Sequence, residues 1–96
     1  MKSLQDINFA LKESRRMLFT KYPIERLAIF GSYARNEQTA DSDVDLLVEF
    51  NGKIGIQFID LANELERILG FKVDLVSKNG IKDKYFQEIE HDLIYV

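Results

Sequence analysis

The chain has 96 residues, 46% hydrophobic and 30% charged, with a net charge of −3 and no cysteine. That composition fits one soluble globular domain over residues 1–96, excludes disulfides and thiolate zinc sites, and lacks the basic face of a broad nucleic-acid grip, so direct DNA binding is not expected. No apolar run approaches the roughly 18 residues of a membrane span, and Asp6 and Glu13 interrupt the N-terminal segment in a way no secretory signal does; a cytoplasmic protein is expected.

Ser3 to about Thr20 is predicted to be a helix, because Leu4, Ile7, Leu11, Met17 and Leu18 recur at helical spacing, with Phe9 and Ala10 filling in. Ser3 suits the N-cap, and Asp6 three residues later complements the helix N-terminus. Pro23, the only proline, closes the unit. Arg26 to Phe30 reads as a short buried strand, Tyr33 to Glu37 as a helical turn, and Gln38 to Ser42 as a loop. Val44 to Phe50 is the second strand, followed by the turn signal Asn51-Gly52. Gly55 to Leu69 reads as a helix with Ile59, Ala62, Leu65, Ile68 and Leu69 as its core stripe and Gly70 as its stop. Lys72 to Val76 is a third strand, and Lys82 to Glu90 a helix with Tyr85, Phe86 and Ile89 on one side. Leu93 to Val96 is a short terminal strand or a docked tail. The order predicts an α/β (α+β) fold, a small mixed β-sheet flanked by helices.

The segment from Gly31 to Glu49, GSYARNEQTADSDVDLLVE, carries the chemistry. A Gly-Ser turn follows an apolar strand and offers backbone N–H groups to a phosphate. Asp43 and Asp45 then head the second strand. Residues i and i+2 of a strand point to one face, so these carboxylates are expected side by side. Paired carboxylates repel unless they share a proton or a cation. An oxygen-only pair suits Mg²⁺, with Mn²⁺ as an alternative. Asp74 lies inside the apolar run KVDLV, where a charge rarely sits without a partner. If its strand lies beside Val44–Phe50, the acids meet, and they can then hold two ions.

The order G-S-x-A-R (Gly31, Ser32, Ala34, Arg35), then S-D-x-D-L-x-V (Ser42, Asp43, Asp45, Leu46, Val48), then the later Asp74 resembles the minimal nucleotidyltransferases of the DNA polymerase β-like superfamily. The resemblance implies a nucleotidyltransferase fold, with Asp43, Asp45 and Asp74 as catalytic metal ligands. It implies that Gly31 and Ser32 grip the β/γ-phosphates, that Arg35 orients the triphosphate, and that Ser42 belongs to the nucleotide site, although capping the loop is its simpler role. Many members of that family have glycine where this chain has Asn36. Small stand-alone members act as antitoxins of type VII systems, transferring AMP from ATP to a tyrosine of a cognate HEPN-domain toxin. ATP, two Mg²⁺ ions, such a toxin and a homo- or hetero-oligomer are therefore the implied partners. Two other readings stay open on the sequence: a catalytically weak module that neutralises its partner by contact, and a nucleotide-binding regulator.

Overall fold

In the computed structural model, which describes residues 2–96, the first helix, α1, spans Leu4–Lys21. It starts with a capping box: Ser3 Oγ accepts the Asp6 N–H at 3.2 Å, and Asp6 Oδ2 accepts the Ser3 N–H at 3.0 Å. Ile7, Leu11 and Leu18 are buried at helical spacing. Met17, expected on the apolar stripe by its spacing, and Phe9, expected to fill in beside it, are instead 44% and 66% exposed; both lie off the stripe that these three residues define.

The strands are β1 (Ile24–Phe30), β2 (Val44–Phe50), β3 (Val73–Ser77) and β4 (Ile94–Tyr95). They form a mixed sheet in the order β3-β2-β1-β4. β1 runs antiparallel to β2 and to β4, whereas β2 and β3 are parallel. The parallel pair requires a crossover, and α3 (Gln57–Leu69) provides it. This helix begins two residues after the predicted Gly55, because single-turn bonds from Phe58 N–H to Gly55 O and Ile59 N–H to Ile56 O precede the regular helix. Gly70 closes it at φ 73°, in the left-handed region that favours glycine. Leu61, Leu65 and Leu69 form its buried stripe, while Ile59 is 58% exposed, contrary to the stripe read from the sequence.

The two faces of the sheet have different jobs. Val44, Leu46, Val48 and Phe50 of β2 join Leu27 and Ile29 of β1 and the buried stripes of α1 and α3 in the main core. Alternation turns Asp45, Leu47 and Glu49 to the other face. There Phe30, Leu47 and Ile89 form a second, smaller core with Val76 and Phe86 packed on it. Ile89 and Phe86 belong to α4 (Asp83–Ile89), which therefore covers only part of that face. The terminal segment resolves as a strand, β4, whose Ile94 pairs with Ile29. The result is a mixed α/β architecture with a four-stranded sheet, as the sequence predicts.

Candidate active site

The site sits where β1 ends and β2 begins, on the face that α4 leaves partly open. The ladder sets Phe30 opposite Asp45, and Asp45 opposite Asp74 on the parallel strand β3. Asp43 stands just before β2, exposed at the mouth of the strand. Asp45 is half-buried and Asp74 exposed. The expected adjacency of the acid-bearing strands is thus present, and it is the Asp45–Asp74 pair that the sheet register fixes.

Asp45 shows the electrostatic cost of this arrangement. Burial pushes its carboxyl up to about 6 from 3.8; the charges of Asp74 and Asp43 push the same way, and Arg35 opposes them. Arg35 compensates the charged form only in part. A divalent cation coordinated by oxygen would supply the rest, so the donor set fits Mg²⁺ or Mn²⁺. Among the described residues no three His, Cys, Asp or Glu side chains form a ready metal cage.

Gly31 starts the short helix α2 (Gly31–Ala34) directly after β1. Its φ is +76°, and a Cβ at this position would collide with Asp45, meeting the Oδ2 first and then the Cγ at 2.9 Å. Glycine is required both by the backbone angle and by the closeness of the carboxylate. The leading N–H groups of a helical turn have no intrahelical partners, and α2 begins at Gly31, whose Cα lies against Asp45. Arg35 closes α2, and Asn36 follows at φ 59°, its N–H bonded to Tyr33 O at 3.2 Å. The left-handed turn thus persists with asparagine, one of the few side chains that tolerate it.

Ser42 is engaged inside the connecting loop: its Oγ accepts the Thr39 N–H at 2.9 Å. That bond shapes the approach to Asp43. Arg35 is not free on the surface. Its Nε donates to Glu37 Oε1 at 2.9 Å and its Nη1 to Asp92 Oδ2 at 2.8 Å. Sequence reading missed Asp92, and no local signal points to it, since it lies 57 positions from Arg35. Tyr85 of α4 is 41% exposed; partial burial raises its hydroxyl pKa, and the charges of Asp45 and Asp74 add to the rise. Two clefts, of about 330 and 400 Å³, lie elsewhere, one lined by Lys21, Tyr22 and Glu64 and the other by Phe50, Lys53 and Asn79. Both are at the opposite end of β2.

Residues 11–95 match the model of the nucleotidyltransferase domain family. A Methanocaldococcus jannaschii protein provisionally named protein adenylyltransferase MJ0128 is 48% identical, with 100% of both chains covered. Protein adenylyltransferase MntA of Thermococcus cleftensis is 35% identical over 100% of this chain and 98% of its own. A chain from the complex of a tri-AMPylated Shewanella oneidensis HEPN toxin with its MNT antitoxin superposes with a TM-score of 0.70, covering 93% of this chain and 70% of that one; at 21% identity the likeness is one of fold. With its Gly-Ser turn and strand acids at one end of such a sheet, the chain belongs to the nucleotidyltransferase domain family.

Proposed function

We propose that the chain is a metal-dependent protein adenylyltransferase that serves as an antitoxin, moving AMP from ATP to a tyrosine of a cognate HEPN-domain toxin. The observation that carries this reading is the convergence of Asp45, Asp74 and the Gly31 turn at one open end of the sheet. The names of the relatives and the toxin complex of the structural neighbour support the choice of a protein as acceptor.

In this reading Asp43, Asp45 and Asp74 are the metal ligands. Two Mg²⁺ (or Mn²⁺) ions held there would supply charge neutralisation for the phosphates and the leaving diphosphate. The backbone of Gly31 and Ser32 holds the β/γ-phosphates, and Arg35 aligns the triphosphate with its unused N–H groups. Ser42 belongs to the nucleotide site through the loop it shapes. The acceptor hydroxyl oxygen attacks the α-phosphorus as the bond to the bridging oxygen breaks. Diphosphate leaves, and Asp74 takes the hydroxyl proton, since it is the exposed acid of the ladder pair. The acids lie at an open end of the sheet, so a protein acceptor can bring its own surface.

The test is a transfer assay with ATP labelled at the α-phosphate, the purified chain and a cognate HEPN-domain protein. Label is expected on a toxin tyrosine with Mg²⁺ or Mn²⁺ and not with chelator. Label that persists in chelator would remove the metal from the mechanism, and no label under any metal would remove the enzyme.

A further inference from the structure

Arg35 is gripped from two sides, and the two grips are not equivalent. Glu37 is its near neighbour in sequence, and its side chain is 64% exposed. Such a pair is screened by water and contributes little. Asp92 comes from the far end of the chain, and its side chain is only 24% exposed. Its place is set by the sheet. Asp92 lies two residues before Ile94, and Ile94 pairs with Ile29 of β1. β1 ends in the Gly31 turn, and α2 then delivers Arg35. The two partners are therefore carried by two paired strands, β1 and β4, and the 2.8 Å bond from Arg35 Nη1 to Asp92 Oδ2 closes the circuit. A guanidinium has five N–H donors. Glu37 and Asp92 take one each, and the rest stay available.

We propose that Asp92 is a positioning residue of the nucleotide site, holding the Arg35 guanidinium in the orientation that meets the triphosphate. The inference rests on the role given to Arg35 under the proposed function. It has a sign that simple electrostatics does not share. Asp92 adds negative charge to an end already crowded with acids, so charge alone would make its removal favour ATP. Orientation makes its removal harmful, because an untethered arginine must be ordered at the moment of binding.

The test is a double-mutant cycle read by the affinity for Mg²⁺-ATP in calorimetry, with a thermal melt of each variant. Arg35→Ala is expected to weaken binding about tenfold or more, and Asp92→Ala roughly three- to tenfold. In the Arg35→Ala background Asp92→Ala should have no further effect. Asp92→Glu should restore part of the loss. Asp92→Asn, which keeps the shape and one acceptor, should fall between wild type and Asp92→Ala, and it carries the cycle if the alanine variant does not fold. Unchanged or tighter binding on loss of the Asp92 carboxylate, with Arg35→Ala still weak, overturns the proposal and leaves the role of Arg35 standing. An equal loss with or without Arg35 also overturns it. If Arg35→Ala binds as wild type does, both the proposal and the role of Arg35 fall.

Discussion

Gly31 and Asp45 define each other. The first must lack a side chain because the second occupies the space, and it must also adopt φ +76°. Gly31→Ala is therefore expected to lose transfer activity and to destabilise the fold by about 1–3 kcal/mol; a chemical-denaturation midpoint equal to wild type would contradict this. Asp45 gives a pH prediction. Its carboxyl is raised from 3.8 to about 6, so the folded state favours the neutral acid. The stability linked to that proton is fully present below the unfolded value and is lost as the pH rises through about 6. In chelator, Asp45→Asn should melt close to wild type near pH 4 and above it near pH 7, while being inactive at both. A variant that melts below wild type at the higher pH would show that the carboxylate is satisfied within the protein.

Elements and their joints account for what the sequence made legible. The capping residues of α1, the strand Val44–Phe50 and the stop at Gly70 were readable because each is specified by local chemistry. The pairing of Asp45 with Asp74 was readable as a condition, since an acid in an apolar strand needs a neighbour. Phe9, Met17 and Ile59 were misplaced because hydrophobicity alone does not say which side of a helix meets the sheet. Asp92 and Glu64 were invisible for the same reason: their partners come from elsewhere in the fold. Glu64 of α3, almost wholly buried, takes the Lys21 ammonium at 2.8 Å and the Tyr22 hydroxyl at 3.0 Å, and so ties α3 to the end of α1. The Lys21 hydrogen bond holds its carboxyl below the ordinary value, and the Tyr22 bond acts the same way. That stabilisation is present above the unfolded value and is lost as the pH falls through the lower, folded one. Glu64→Ala should cost roughly 1–3 kcal/mol near neutral pH, since it leaves the Tyr22 hydroxyl unpaired. The gap from wild type in urea melts should narrow on acidification; a gap that stays constant would assign the cost to packing alone.

Across the whole molecule, the two ends of the sheet are chemically distinct. One carries Asp43, Asp45, Asp74 and the Gly31 turn; the other carries the polar clefts beside Glu64 and Phe50. Under the proposed function, the open acidic end takes a cation and a triphosphate, and the acceptor fills the remaining space. Under that proposal, AMP added to the toxin brings negative charge and bulk to its surface. Replacing Asp43 and Asp45 together with asparagine leaves the size and shape of that end nearly unchanged. The most direct measurement is intact-mass spectrometry of the HEPN toxin co-purified with this double variant, alongside rescue of toxin-expressing cells. Catalysis as the antitoxin mechanism predicts that the variant still co-purifies, that the toxin carries no AMP and that the cells are not rescued. Full rescue with an unmodified toxin would contradict it and make contact the means of neutralisation.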